Sequence, residues 1–271
     1  MAKVAFQGEP GAFSEDAVIA FFTDAKLHPY PSFRAVFEAV LSDEVEFGVV
    51  PVDNSQAGSI NETYDLLLSY PLKIFGEINL RVSHYLMAMP GTCLEEVETV
   101  YSHPQALAQC DEFLSNLQVE VIPAYNTAGS AKKVKDEGLK GYAAIASKRA
   151  AQIYGLEIVA EGIETNPDNY TKFFVISKRG AEPARKNKTS LVFAIKNVSG
   201  ALYAGMGIFA SRGINLAKLE SRPSKRKPWE YVFYVDFEGH VTDAACKEAI
   251  AELEQKTSFL KILGSYPSAE G

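Results

Sequence analysis

The chain has 271 residues, more than one domain of ordinary size needs, so two or three structural units are expected. Its 47% hydrophobic and 23% charged residues place it among folded globular proteins and exclude disorder as the main state. A formal net charge of −7 removes the general attraction to phosphate backbones, and no apolar run approaches the ~20 residues of a membrane helix.

The chain opens in a strand-like run at residues 4–7, without a signal-peptide layout, which leads to the expectation of a cytoplasmic protein. A loop follows at 8–11, and Ser14 is positioned to cap an apolar helix running to about Phe22. Ser32 caps a second helix whose apolar positions Phe33, Val36, Phe37, Val40 and Leu41 recur with helical spacing. Residues 47–52 read as a strand buried on both faces, 53–59 as a polar loop, and 63–68 as a helix. Strands are expected at 72–78 and 83–89, and another ending at Tyr101. Pro104 opens a helix with Leu107, Cys110 and Leu114 on one face. A strand at 119–122, a helix from Thr127 or Ser130 through Val134, a strand at 142–146 with a short helix to Tyr154, and a strand at 173–176 complete the pattern. Such alternation predicts an α/β unit with mostly parallel sheet, whose ligands bind in the loops at the carboxyl ends of strands.

Residues 178–188 are polar, basic and broken by Gly180 and Pro183, and read as a linker. After it come a strand at 190–195, a helix at 201–210, strands at 214–219 and 231–235, a helix at 243–253 and a strand at 259–263. The order βαββαβ is ferredoxin-like. Cys93, Cys110 and Cys246 are odd in number and far apart, so they read as buried small hydrophobes rather than as a disulfide or zinc framework. The four histidines lack the H-x-x-x-H spacing of a metal site.

Six segments, in order, resemble the prephenate dehydratase family with its C-terminal ACT regulatory domain. They are Gly8-Glu9-Pro10-Gly11-Ala12-Phe13-Ser14; Pro51-Val52-Asp53-Asn54-Ser55 with Gly58-Ser59-Ile60; Ser102-His103-Pro104-Gln105 through Gln109-Cys110; and Asn169-Tyr170-Thr171-Lys172-Phe173. In the second unit they are Gly200-Ala201-Leu202 and Gly213-Ile214-Asn215-Leu216 with Glu220-Ser221-Arg222-Pro223. Lys172 stands where the family usually has arginine, and Asp53 where it usually has glutamate.

The resemblance implies a two-lobed, solute-binding-protein-like catalytic domain at 1–177 (lobe one about 1–80 plus 168–177, lobe two about 81–167), a linker at 178–188 and an ACT domain at 189–271. It implies dehydration and decarboxylation of prephenate to phenylpyruvate in a hinged cleft, without a cofactor or metal, and feedback inhibition by L-phenylalanine. Thr171 would donate the proton. Asn54, Ser55, Ser102, Gln109, Asn126, Thr127, Asn169, Lys172 and Phe173 would hold the substrate. Alternation in a strand puts Thr171 and Phe173 on one face and Lys172 on the other, so direct contact by Lys172 stays open. An ionised Asp53 would repel a dianion, which favours a structural role for it. Phenylalanine would lie between paired ACT domains against Gly200, Ala201, Leu202, Asn215, Leu216, Glu220, Ser221 and Arg222, in a homodimer or homotetramer. Arogenate dehydration and a non-catalytic small-molecule sensor are the competing readings.

Overall fold

The computed structural model describes residues 1–138, 140–224 and 231–269. The chain divides into two compact units, Met1–Thr63 with Ile78–Phe173 and Tyr64–Glu77 with Phe174–Gly271. The strands β5 (Lys73–Arg81) and β11 (Tyr170–Ser177) therefore run from one unit into the other.

The first unit has two lobes. In lobe one, β1 (Ala2–Gln7) is flanked in parallel by β2 (Ala25–Tyr30) and β3 (Phe47–Asn54), and the sheet continues in the order β2-β1-β3-β11-β5. A two-residue strand, β4 (Gly58–Ser59), folds back antiparallel on the end of β3. β2 escapes the sequence reading because it is an edge strand. It holds Pro29, which only an edge tolerates, and it has no fully buried residue to give it an apolar run.

The helix α2 (Phe33–Leu41) forms as its spacing predicts, with Ser32 Oγ accepting from Ala35 N at 3.2 Å. The helix α1 (Phe13–Phe21) departs from expectation: its cap is Ala12, and Ser14 lies inside the first turn. The capping job passes to Glu15, whose carboxylate accepts the Gly11 N–H at 2.5 Å.

Lobe two is a five-stranded sheet in the order β10-β6-β9-β7-β8. Here β7 (Thr99–Ser102) is parallel to both β8 (Glu120–Pro123) and β9 (Tyr142–Ala146). By contrast, β6 (Tyr85–Ala88) is antiparallel to β9 and to β10 (Glu157–Glu161). The sheet is thus mixed rather than mostly parallel. The edge strand β10 carries a bulge and only partly buried side chains, so its sequence gives no periodic signal. The single helix expected after Pro104 breaks at Cys110 into α4 (Pro104–Gln109) and α5 (Asp111–Leu117), yet Leu107, Cys110 and Leu114 still share one core. Cys93 is exposed, against its reading as a buried hydrophobe, whereas Cys110 and Cys246 are buried. Asn126 caps α6 (Thr127–Asp136), and Ser147 caps α7 (Lys148–Tyr154).

In the second unit β12 (Asn187–Ala194), α8 (Ala201–Ala210), β13 (Leu216–Pro223), β14 (Tyr231–Glu238), α9 (Ala244–Lys256) and β15 (Phe259–Pro267) form an antiparallel sheet ordered β13-β14-β12-β15. This is the ferredoxin-like topology. One face packs Leu191, Phe193, Val235 and Phe237 against Ile208, Phe209 and Leu253 of the two helices. The opposite face meets most of α3 (Asn61–Ser69) and the start of β5, and polar groups explain why these segments join this unit. Lys261 Nζ donates to the carbonyls of Leu67, Leu68 and Tyr70 at 2.8, 2.9 and 2.7 Å, filling the open C-terminal end of α3. Burial beside Lys73 pushes the Lys261 ammonium down to about 8. Lys188 and Glu77 form a buried pair at 2.8 Å, and Tyr64 meets Tyr234 edge-on with centroids 4.9 Å apart.

Candidate active site

A cavity of about 410 Å3 opens between the two lobes of the first unit. Its walls include Gly8, Ala12, Phe13 and Ser14 from the start of α1, Asn54 from β3, and His84 beside β6. Gln105 and Gln109 come from α4, Asn126 and Thr127 from the start of α6, and Thr171 and Phe173 from β11. Among the described residues that form the wall there is no lysine, arginine, aspartate or glutamate. The lobes meet on one side of this cavity through Ser147 Oγ to Gly11 O at 2.7 Å, Tyr154 OH to Pro10 O at 2.9 Å, and Arg149 with Glu15 at 3.1 Å. Across the cavity Tyr125 OH donates to Pro31 O at 2.8 Å. A hinge movement must therefore break the exposed Tyr125 link or the three ties at α7.

Asn54 is the hub of the site. Its Oδ1 accepts two backbone N–H groups, Gln56 at 3.1 Å and Ala57 at 2.9 Å, which only donate. Its Nδ2 must then be the donor side, and its two hydrogens are shared among three acceptors, Asn169 Oδ1 at 2.8 Å, Thr171 Oγ1 at 3.0 Å and the more distant Tyr170 O at 3.2 Å. Thr171 Oγ1 accepts from Asn54, so its own O–H is free to point elsewhere. The side chain is 9% exposed on the cavity wall, which leaves the cavity as the place for that donor. Gln109 completes the network: Oε1 accepts from Asn169 Nδ2 at 3.1 Å, and Nε2 lies 3.5 Å from Asn54 Oδ1.

The candidate residues thus separate into groups. Asn54, Gln109, Asn126, Thr127, Thr171 and Phe173 line one cavity, and Asn169 stands directly behind it as a link between Asn54 and Gln109. Three do not reach the wall. Ser102 is fully buried and spends its hydroxyl on Ile145 O at 2.7 Å, joining β7 to β9. Ser55 is exposed, accepts the Tyr170 N–H at 2.9 Å and donates to Asp168 O at 3.1 Å, which pins the entry to β11. Lys172 is half-buried and, by strand alternation, faces away from Thr171 and Phe173. Asp53 accepts from Ser59 Oγ at 2.7 Å across the β3–β4 turn.

Sequence reasoning passed over His84. It is 2% exposed, lines the cavity, and its Nε2 lies 2.9 Å from Gln109 Oε1. It also passed over Glu164, whose carboxylate takes the His84 N–H at 2.9 Å and the Ser83 hydroxyl at 2.8 Å. A lone histidine without metal spacing carries no signal in one sequence, and neither does a lone glutamate in a loop.

The family model for prephenate dehydratase matches residues 4–181. The chain belongs to the prephenate dehydratase family. A bifunctional chorismate mutase/prephenate dehydratase of Aquifex aeolicus is 43% identical over 98% of this chain and 74% of its own. An arogenate dehydratase/prephenate dehydratase of Arabidopsis thaliana is 41% identical over 98% of this chain and 72% of its own. Two solved structures superpose at a TM-score of 0.90 and 32% identity over 99% of this chain. One is the prephenate dehydratase of Arthrobacter aurescens in complex with L-Phe (90% of that chain), the other a protein described as a novel type of quorum quenching acylase, GqqA (98% of that chain). As a dehydratase of this family the protein is a lyase, and its two-lobed α/β architecture is that of its structural relatives.

In the second unit, strand alternation divides the candidate effector residues. Glu220 and Arg222 share the face of β13 that meets α3: Glu220 pairs with Lys218 at 3.0 Å, and Arg222 with Asp65 at 3.4 Å. Ser221 is exposed on the other face. Gly200, at φ +81, turns the chain into α8, where Ala201 begins the helix and Leu202 packs on the core. Asn215 donates to Glu238 at 2.8 Å, and Leu216 packs against the same core as Leu202.

Proposed function

We propose that the protein converts prephenate to phenylpyruvate, water and CO2, with Thr171 as the proton donor. The observation that carries this reading is the polarity of the Asn54 network, which leaves the Thr171 O–H as a donor on the wall of the inter-lobe cavity. The substrate's ring hydroxyl takes that hydrogen bond and leaves as water when its C–O bond breaks. The ring carboxylate's C–C bond breaks at the same time, its electron pair completes the aromatic ring, and CO2 departs. Solvent returns the proton to Thr171 once product leaves. Phe13 and Phe173 supply apolar walls for the ring. With no lysine or arginine among the described wall residues, the two carboxylates are met by the N-terminal ends of α1 and α6, whose dipoles favour anions.

The test is kcat/KM on prephenate, read by phenylpyruvate absorbance, and in parallel on arogenate, read by chromatographic release of L-phenylalanine. Turnover of prephenate is expected. A tenfold or greater preference for arogenate moves the assignment to the second substrate, which the names of the Arabidopsis relatives keep in view. Turnover of neither overturns catalysis in favour of a sensor.

L-Phenylalanine is proposed as the effector, supported by its presence in the Arthrobacter structure. At millimolar concentration it should raise Tm and lower turnover; at 100 times its Kd the stabilisation is ~2.7 kcal/mol. Ser221→Val should weaken both effects. No change in either quantity overturns the regulatory assignment. A cytoplasmic location and a homodimer or homotetramer joined through the C-terminal units complete the proposal. Light scattering tests the assembly; a monomer with and without L-Phe overturns it.

A further inference from the structure

The hydrogen-bond directions around Asn54 extend outward to a residue that the reaction itself does not consume. Asn169 Oδ1 accepts from Asn54, so Asn169 Nδ2 donates and Gln109 must offer Oε1 to it. The same Oε1 lies 2.9 Å from His84 Nε2, so that nitrogen must carry a hydrogen. Every direction in this chain follows from two backbone N–H groups at one end, those of Gln56 and Ala57. We propose that His84, neutral and protonated on Nε2, is a positioning residue that holds Gln109, and through it Asn54, in the one orientation that leaves the Thr171 O–H free for substrate. The proposal rests on Thr171 as donor, as set out above.

The surroundings of His84 fit this role. The segment after β10 braces both ends of the His84–Gln109 bond: Ile163 N donates to His84 O at 3.2 Å, Glu164 accepts the His84 N–H, and Thr165 N donates to Gln109 O at 2.9 Å. Phe13 from α1 meets the imidazole edge-on, with centroids 5.5 Å apart. The other ring nitrogen, Nδ1, is buried with no hydrogen-bond partner among the described residues, which a bare acceptor tolerates better than an N–H of a charged ring would. Burial lowers the His84 pKa, partly offset by its bond to Gln109 and by the Glu164 carboxylate. Two other titratable groups are nearby. The Cys110 thiol, beside Gln109, is pushed up to about 12 by burial and by Glu164, so it stays neutral. His103, on the same cavity wall, is also lowered by burial. Acid that protonates His84 adds a buried donor with no acceptor and so loosens the ring from Gln109.

The experiment compares the full-length wild type with His84→Gln, His84→Asn and His84→Phe. A glutamine amide reaches the position of Nε2 and keeps a donor there, an asparagine amide stops short, and phenylalanine fills the space without a donor. His84→Phe and His84→Asn should lower kcat about tenfold or more with KM within about threefold, and His84→Gln should restore kcat to within about threefold. The acid limb of the wild-type kcat/KM profile that belongs to His84 should be missing in His84→Gln. Wild-type kcat in His84→Phe, or a glutamine variant as impaired as the phenylalanine one, overturns the proposal. An independent readout needs no turnover: 15N NMR of the wild type at pH 7, with His84 assigned by its loss in His84→Gln, should show a neutral ring protonated on Nε2. A ring protonated on Nδ1 or on both nitrogens overturns the proposal. Wild-type inactivity would overturn the dehydratase reading while leaving the NMR result to stand or fall by itself.

Discussion

Thr171→Ala should bind substrate yet lose turnover by about 10²-fold or more, the range that a positioned proton donor contributes. The substitution removes one hydroxyl and a methyl group at a side chain on the cavity wall, so folding should survive it. Asn54 Nδ2 would still have Asn169 Oδ1 and Tyr170 O as acceptors, and the network behind the wall should remain in place. Thr171→Ser returns the O–H without the methyl that limits its rotation, and should recover most of kcat. The phenylpyruvate assay reads both variants, and substrate-induced thermal shift reads binding. An alanine variant with near-wild-type kcat removes Thr171 from the chemistry.

Lys188→Met should destabilise the second unit by about 3–5 kcal/mol, because it leaves the Glu77 carboxylate buried without its cation. The side chains are 2% and 0% exposed, so water cannot take over the lost contact. The Ala269 N–H at 3.0 Å from Glu77 Oε1 offsets little of a full charge. The double substitution Lys188→Met with Glu77→Leu should recover most of the loss, since a matched apolar pair carries no stranded charge. Urea unfolding followed by circular dichroism gives both values. A single variant within 1 kcal/mol of wild type would mean that the pair contributes little.

Much of this architecture is legible in one sequence, for physical reasons that differ by element. α2 is readable because Ser32 and the spacing from Phe33 to Leu41 agree on one helix. The ferredoxin-like unit is readable from element order alone. β2 and β10 are not, because an edge strand needs no buried face and both carry polar or partly exposed residues. The cut in α4–α5 at Cys110 leaves the apolar spacing intact, so the sequence gives no sign of it. For the site, alternation along β11 correctly sets Lys172 apart from Thr171 and Phe173. Hydrogen-bond direction is a different matter. The orientation of Asn54 depends on the N–H groups of Gln56 and Ala57, which belong to the turn geometry and not to any residue type. Ser55 and Ser102 have residue types suited to binding, but their hydroxyls are occupied by backbone carbonyls.

The lack of fixed charge among the described residues of the cavity wall has a consequence for how substrate arrives. A protein of net charge −7 repels a dianion at long range, and no lysine or arginine is among the described residues that line the cavity to focus it. Salt shortens that repulsion within a Debye length of ~10 Å at 0.1 M, while leaving the helix ends and hydroxyls inside almost untouched. Capture should therefore quicken as ionic strength rises, and the bond-breaking step should not. This is the reverse of the salt response shown by enzymes that draw anions in with exposed lysines and arginines, and it ties the protein's acidity to the rate at which it fills rather than to the chemistry it performs.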